Sequence, residues 1–383
     1  MADLRQGIRD MAGKHGFDLC RYTCPEVPAT HTSAFEQWVQ AGMYGDMAWM
    51  AEETRMRRRM HPETMLEGVR SVITVGMRHS PPAYTLAESE KAKDRGAIAA
   101  FAHGDDYHDV MKKRLKVFAR DLDTLLGKHG QRVYVDTAPV LEHALAESSG
   151  LGWQGKHSLT INKDLGSWFM LGEIFTTAEL MPDKPASNHC GTCIACMSIC
   201  PTGAIVAPYI VDARSCISYL TIEYKGFIPL ELRPLLGNRI FGCDDCQQIC
   251  PWNSHAHAPE ADLLHPRDDN ALPELSGLFA LDEDGFRMRF RKSPLKRTGR
   301  TGLLRNIAIA MGNSGDSGYA KELTGALADP EPLIRGHAAW ALARLGITSA
   351  LAVLYTGLEQ ERHEEAKQEI ALSIHILEKR GDK

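Results

Sequence analysis

With 383 residues, 44% of them hydrophobic and 24% charged, the chain reads as an ordinary globular protein long enough for two or three domains with separate cores. Its opening stretch, MADLRQGIRDMAGKHGFDLC, alternates charge with short apolar runs, so neither a secretory signal nor a membrane anchor is expected and a cytoplasmic location is. In that reducing compartment the ten cysteines point to metal or redox chemistry rather than disulfides.

From residue 1 to 185 the pattern is mixed. SAFEQWVQAGMYGDMAWMAEE and YHDVMKKRLKVFARDLDTLLGKHG carry helical periodicity, whereas SVITVGM and RVYVD read as strands. Cys20 and Cys24 have no ligand-spaced partners and read as buried apolar cysteines. RMRRRMH places Arg55, Arg57, Arg58 and Arg59 together, just after Glu52 and Glu53. GDDYHDV groups Asp106, Tyr107 and His108, either a proton-donor group or a helix start capped by Asp105 or Asp106. Asp136, in RVYVDTAPVLEHALAESSG, falls at a strand end before a helix expected to hold Pro139 in its first turn. It either lines a site or caps that helix. Gly150, Gly152 and Gly155 match G-x-G-x-x-G, but a helix precedes them and a strand follows, the reverse of a dinucleotide site. They are expected to end a helix and let backbone approach a bulky ligand.

HCGTCIACMSICPTGAI then packs four cysteines, Cys190, Cys193, Cys196 and Cys200, in the spacing C-x2-C-x2-C-x3-C-P. This is the bacterial ferredoxin pattern, whose fourth cysteine serves a neighbouring cluster. A second group, Cys243, Cys246 and Cys250 followed by Pro251, is one cysteine short because Ile240 occupies the first position. Cys216 is the unassigned cysteine between the motifs. Eight thiolates thus divide into Cys190, Cys193, Cys196 and Cys250 for one 4Fe-4S cluster and Cys200, Cys216, Cys243 and Cys246 for the other. Structural zinc also uses C-x2-C pairs, but two C-x3-C-P endings favour iron-sulfur. Two such clusters make an electron relay, which requires an acceptor.

These motifs place a cluster domain at 186–255. Residues 256–299 read as a connector, and a purely helical region follows at 300–383. In the helical region LRNIAIAMGNSGD and IRGHAAWALARLG are offset by thirty positions, aligning Arg305 with Arg335 and Ala308 with Ala338, as in short HEAT-like helical pairs. Between Asp284 and Asp316 there is no acidic residue, yet Arg287, Arg289, Arg291, Lys292, Lys296, Arg297, Arg300 and Arg305 occur. This run is either a polyanion-binding surface or a solvated loop.

Taken in order, FAHGDDYHDVMKKRL, VDTAPVLEHALAESSGLGWQGKHS, CGTCIACMSICPTGAI, GCDDCQQICPWN and LLRNIAIAMGNSGD resemble the epoxyqueuosine reductase family over almost the whole chain. The resemblance implies a multidomain α+β protein: an N-terminal mixed α/β domain holding base-off cobalamin, a ferredoxin-like domain with two 4Fe-4S clusters, and a HEAT-like tail that helps hold tRNA. It implies reduction of epoxyqueuosine to queuosine at the tRNA wobble position, consuming two electrons and two protons and releasing water. By position, Asp136 is the implied proton donor, and Tyr107, His108, Gly155, Lys156 and His157 the implied cobalamin-pocket residues. Burial is expected to outweigh a helix N-terminus in keeping Asp136 protonated. Phe101 and His103 depart from some relatives. A flavodoxin- or ferredoxin-type electron donor, no membrane partner and a monomer are expected. A cobalamin-dependent reductive dehalogenase-like enzyme is one alternative, although no twin-arginine signal is seen. A non-catalytic iron-sulfur carrier or tRNA-binding adaptor is the other.

Overall fold

SVITVGM becomes a strand buried along nearly its whole length because both of its faces are covered. The computed structural model describes residues 2–381. Four strands, β1 (Leu19–Thr23), β2 (Ser71–Arg78), β3 (Gln131–Tyr134) and β4 (Phe169–Thr176), form an antiparallel sheet in the order β1-β2-β4-β3. The helices around it are α1 (Ala2–Lys14), α2 (Ala29–Gln40), α3 (Glu53–Met60), α4 (Tyr107–Leu126) and α5 (Glu142–Ser148).

On one face of the sheet Ile8 and Ala12 of α1 and Met111, Leu115, Phe118 and Leu122 of α4 meet Ile73, Val75, Met77 and Ile174. On the other, Leu145 of α5 and Val140 pack against Val72 and Phe175. Strand residues alternate between faces, so Thr74 and Glu173, register partners at the sheet centre, share the α5 side with Val72 and Phe175. Tyr134, opposite Glu173 on β3, lies there too. An ionisable group in the middle of this apolar layer is costly unless it is neutral or paired.

The chain forms two compact units that interleave in sequence: residues up to 81, 104–214 and 245–266 make the first, and 82–103, 215–244 and 267 onward the second. The linear blocks 1–185, 186–255, 256–299 and 300–383 therefore do not coincide with the compact bodies. The expected connector is also partly core, since Leu264 is 2% exposed within the first hydrophobic cluster. Asp105 N–H donates to the Leu264 carbonyl at 2.5 Å. A Cβ on Gly104 would sit 1.9 Å from that oxygen, so only glycine allows the approach.

The second unit is dominated by helices, among them α6 (Gly299–Ser314), α7 (Pro332–Leu345) and α8 (Glu364–Gly381), with α6 packed on α7 and α7 on α8. Gly312 permits the first contact: a Cβ there would lie 3.0 Å from the Ala341 backbone. Ala308 and Ala338, thirty positions apart, are both fully buried. The paired arginines are anchors. Arg335 forks onto Glu361 at 2.6 and 2.7 Å. Arg305 is fully buried and donates to the carbonyls of Leu220 at 2.7 Å and of Tyr224 and Gly226 at 2.9 Å, and to Asn306 Oδ1. Arg305 thus leaves the set of candidate phosphate contacts, because its charge is consumed inside the protein. Arg300 is largely withdrawn as well, bonded to Asp329 at 2.7 Å with 16% of its side chain exposed. Arg289 pairs with Asp269, and Arg287 pairs with Glu283 one turn back. Arg287, Arg291, Lys292, Lys296 and Arg297 are exposed.

A carboxyl-rich candidate active site beside a cysteine cluster

Asp106 caps α4, its side chain accepting the His108 N–H at 3.1 Å. The helix-cap reading of this segment therefore holds, with Asp106 as the cap. The same Oδ1 meets His108 Nδ1 at 2.6 Å, and His108 Nε2 meets Asp136 Oδ2 at 2.6 Å. Tyr107 lies beside the imidazole, the rings tilted by 33° with centroids 3.8 Å apart. A carboxylate, an imidazole and a second carboxyl thus form one hydrogen-bonded line along which a proton can be held or passed.

Asp136 does not cap α5. The helix begins at Glu142, preceded by Leu141 without a side-chain cap, and Pro139 lies outside its first turn. Instead Asp136 occupies the turn after β3 with φ of 45°, a left-handed conformation that an aspartate tolerates better than most residues but that still carries strain. Its side chain is 47% exposed, so the expected burial is not found. The turn is held from behind, where Asp136 N–H donates to Glu142 Oε1 at 2.6 Å.

Glu142 and Glu173 were not evident as site residues from the sequence. Glu173 is fully buried, and neither of its carboxyl oxygens has a hydrogen-bond partner of good geometry. Glu142 lies close enough to raise Glu173, while a hydrogen bond with Glu173 eases Glu142 down. Burial, then the charge of Asp136, pushes Glu142 up to about 8, while burial and Glu142 carry Glu173 well above the usual range. Arg59 approaches from α3. Burial draws its guanidinium down to about 10, Asp136 partly restores it, and its Nη1 lacks a partner. It lies over the rings of Phe35 and Trp49, and Arg55 donates to the Thr137 carbonyl at 3.1 Å. The signal for Glu173 was present as a lone acid in the otherwise apolar FMLGEIFT.

Gly150 ends α5 with φ of 74°, its Cβ position blocked by the Lys184 carbonyl, as the helix-then-strand reading requires. A Cβ on Gly155 would strike His157 and Ile161 at 2.8 and 2.7 Å. His157 is buried and its Nε2 is unpartnered; burial holds it and His143 down to about 4, so both rings are neutral at neutral pH. Close glycine backbone, apolar walls and neutral imidazoles suit a large flat cofactor gripped mainly by packing. Lys156 turns elsewhere, donating to the carbonyls of Gly191 and Cys193 at 2.7 and 2.9 Å. Its role in these contacts is to tie the pocket segment to the cysteine loop.

Cys190, Cys193, Cys196 and Cys250 lie near one another: the Cys250 thiol is pushed up by burial and then by the charges of Cys190, Cys196 and Cys193. Cys190 and Cys250 pack with Trp153, Ile161 and Trp252. Asn253 holds the end of this motif, accepting Ser167 N–H at 2.7 Å and donating to the Gln247 carbonyl at 2.7 Å. Among the described residues no cysteine is in a disulfide, which suits thiolate ligation of clusters. Of the other proposed set, Cys200 and Cys246 belong to the first compact unit and Cys216 and Cys243 to the second. Cys216 directly precedes the helix Ile217–Ile222. Cys20 is buried and raised to about 12 by desolvation, whereas Cys24 is exposed, contrary to its expected burial.

Comparisons with known proteins agree along the chain. Residues 59–137 match the family described as "Epoxyqueuosine reductase QueG, DUF1730", 189–253 a 4Fe-4S double cluster binding domain, and 295–375 HEAT repeats. An epoxyqueuosine reductase from Xanthomonas campestris is 43% identical, the alignment covering 90% of this chain and 97% of that one. The Escherichia coli enzyme is 41% identical, with 89% of each chain covered. A crystal structure of epoxyqueuosine reductase with an epoxyqueuosine-modified tRNA-Tyr stem loop superposes with a TM-score of 0.90 at 29% identity, over 98% of this chain and 99% of that one. A Bacillus subtilis epoxyqueuosine reductase, captured with its catalytic aspartate loop swung out of the active site, superposes with a TM-score of 0.89 at 30% identity, over 98% and 99% of the two chains. By this likeness along nearly its full length, the chain belongs to the epoxyqueuosine reductase family.

Proposed function

We propose that this chain reduces epoxyqueuosine to queuosine in tRNA and that Asp136 supplies the proton that opens the epoxide. The observation that carries the assignment is the line Asp106–His108–Asp136, with two contacts of 2.6 Å, ending on a strained turn. We match it to the catalytic aspartate loop that the Bacillus subtilis relative holds swung out of its active site. The cofactors are two 4Fe-4S clusters and cobalamin. Gly155 and His157 would hold the cobalamin, which when bound supplies low-valent cobalt able to combine electrons delivered singly. The first cluster is assigned to Cys190, Cys193, Cys196 and Cys250, and the second to Cys200, Cys216, Cys243 and Cys246.

The protein's own residues govern the protons. Conversion of the epoxide to an alkene takes two electrons and two protons and releases the oxygen as water. Asp136, at the open side of the site, protonates the epoxide oxygen as a C–O bond breaks. His108, as an imidazolium stabilised and oriented by Asp106, then returns its Nε2 proton to Asp136 Oδ2 and is left as the neutral imidazole. The tRNA substrate, whose modified nucleotide must leave the anticodon stack to reach the site, is held by exposed cations of the second unit, Arg291, Lys292 and Lys296 among them. A cytoplasmic location accords with a tRNA substrate, and among the described residues no helix is long and apolar enough to cross a membrane.

Asp136→Asn tests the assignment. It preserves the shape and the Glu142 contact but removes the transferable proton. Single-turnover queuosine formation by chemically reduced enzyme should fall by roughly two to four orders of magnitude, with cofactor content intact. Near wild-type rates across the pH range would shift the acid to Tyr107 or His108.

A further inference from the structure

A buried donor beside the cysteine cluster has no partner in the polypeptide. Trp153 opens a two-residue ladder in which it faces Ile161 and Gln154 faces Thr160. Gly152 lets these backbones close up, since a Cβ there would lie 2.4 Å from the Ile161 carbonyl oxygen. The indole is 2% exposed and packs with Ile161, Ala186, Cys190, Cys250 and Trp252. His189 and Trp252 meet it edge to face, each with ring centroids 5.0 Å away. An indole N–H can only donate, and a buried one ordinarily has an acceptor. Trp153 Nε1 is enclosed and has none. His189 Nε2 meets Ser187 Oγ at 3.1 Å; beyond that imidazole, the side-chain lone pairs around the indole belong to the sulfurs of Cys190 and Cys250.

We propose that Trp153 Nε1–H donates a hydrogen bond to a sulfur of the 4Fe-4S cluster held by Cys190, Cys193, Cys196 and Cys250, and so makes that cluster easier to reduce. The inference rests on those four cysteines holding a cluster. Such a cluster brings what the polypeptide around Trp153 lacks: sulfide and thiolate sulfurs carrying negative charge, in a shell that already contains two of the four ligand residues. On reduction the cluster takes up one electron, and the indole keeps its proton throughout. Negative charge on the sulfurs grows, so a fixed donor stabilises the reduced form more than the oxidised one. The same segment carries Gly155 and His157, and its Lys156 binds the Gly191 and Cys193 carbonyls. The donor therefore acts on the cluster beside the cobalamin pocket, and lets a milder one-electron carrier fill it.

Trp153→Phe keeps an aromatic ring and removes the N–H. In a redox titration of the reconstituted holoenzyme with dithionite, followed by electron paramagnetic resonance, reduction of one cluster should become roughly tenfold less favourable, the share of a charge-assisted hydrogen bond that differs between the two oxidation states. For a one-electron step that is a midpoint lower by about 59 mV. The other cluster should hold its midpoint and iron should stay at about eight per chain. Two unmoved midpoints at full iron content overturn the proposal. Unmoved midpoints with an altered cobalt(II) spectrum give the N–H to cobalamin instead and overturn it equally. The unaltered protein gives an answer that does not depend on the variant folding. With tryptophan labelled by 15N at the indole nitrogen, pulsed resonance of the reduced holoenzyme should show a 15N coupling that survives Trp252→Phe. No coupling, or its loss in Trp252→Phe, overturns the bond. Cys250→Ala tests the assignment beneath it: iron should fall from about eight to about four per chain, and a full complement would overturn the ligand set on which the proposal stands.

Discussion

Replacing Arg305 by Met distinguishes a core anchor from a phosphate contact. Methionine roughly fills the aliphatic volume but strands the carbonyls of Leu220, Tyr224 and Gly226 and the side-chain oxygen of Asn306, all of which the guanidinium now serves. Each buried acceptor left without a donor costs about 1–3 kcal/mol. Against this, the variant no longer desolvates a cation, a cost visible in the fall of Arg305 to about 10 through burial. The net destabilisation should be about 3–5 kcal/mol, the range seen when one partner of a buried charged network is removed. With a urea slope of about 3 kcal/mol/M, the unfolding midpoint should drop by roughly 1 M or more at unchanged slope. Arg305→Lys keeps the charge but not the fork and should fall between the two. Under conditions where the variant is folded, its tRNA affinity should match the wild type at every salt concentration. An unchanged urea midpoint together with a salt slope shallower by nearly one unit would falsify the anchor reading and return Arg305 to the RNA surface.

Three further outcomes are expected. Changing the exposed Arg291, Lys292 and Lys296 together to Glu should weaken tRNA binding and flatten the logarithmic salt dependence by about two to three units, with iron content unchanged; equal affinity at several salt concentrations would make this segment a solvated loop. Cys216→Ala should lower iron from about eight to about four per chain after anaerobic reconstitution, and a full complement would remove Cys216 from the ligand set. Glu142 is raised in the fold, so the native state binds more protons than the unfolded chain between its unfolded value near 4.5 and about 8. Stability should therefore fall as pH rises through that window, and Glu173→Gln should gain melting temperature over the wild type above pH 7 but not below about pH 4.5. A gap that stays constant with pH would contradict the raised titration of these two carboxyls.

What could be read before the structure followed from local spacing. The cysteine intervals, the strand of Ser71–Arg78 and the thirty-residue offset between α6 and α7 each lie within one short window, and each appears in the fold at that place. Asp106 could be recognised as a cap because capping is decided within three residues. The cap reading of Asp136, one of two left open, fails because nothing in TAPVL reveals that the helix waits until Glu142. Arg305 looked like its basic neighbours because its acceptors come from some eighty residues upstream. Glu142 and Glu173 sit on different elements and acquire meaning only when α5 is laid on the sheet, a contact to which sequence periodicity is blind.

The interleaving of segments constrains the order of events during synthesis. The first compact unit includes residues 245–266, and Leu264 is part of its hydrophobic core. A nascent chain that has delivered the sheet and all five flanking helices still lacks a side chain of that core, the backbone acceptor for Asp105, and Cys250. The unit cannot close behind the ribosome as a finished N-terminal domain; it has to wait while residues 215–244, which belong to the other unit, pass through the exit tunnel. Throughout that interval the cysteines of 190–200 are outside and incompletely enclosed. The protein should consequently depend on a reducing surrounding and a ready iron-sulfur supply more while it is being made than after it is finished.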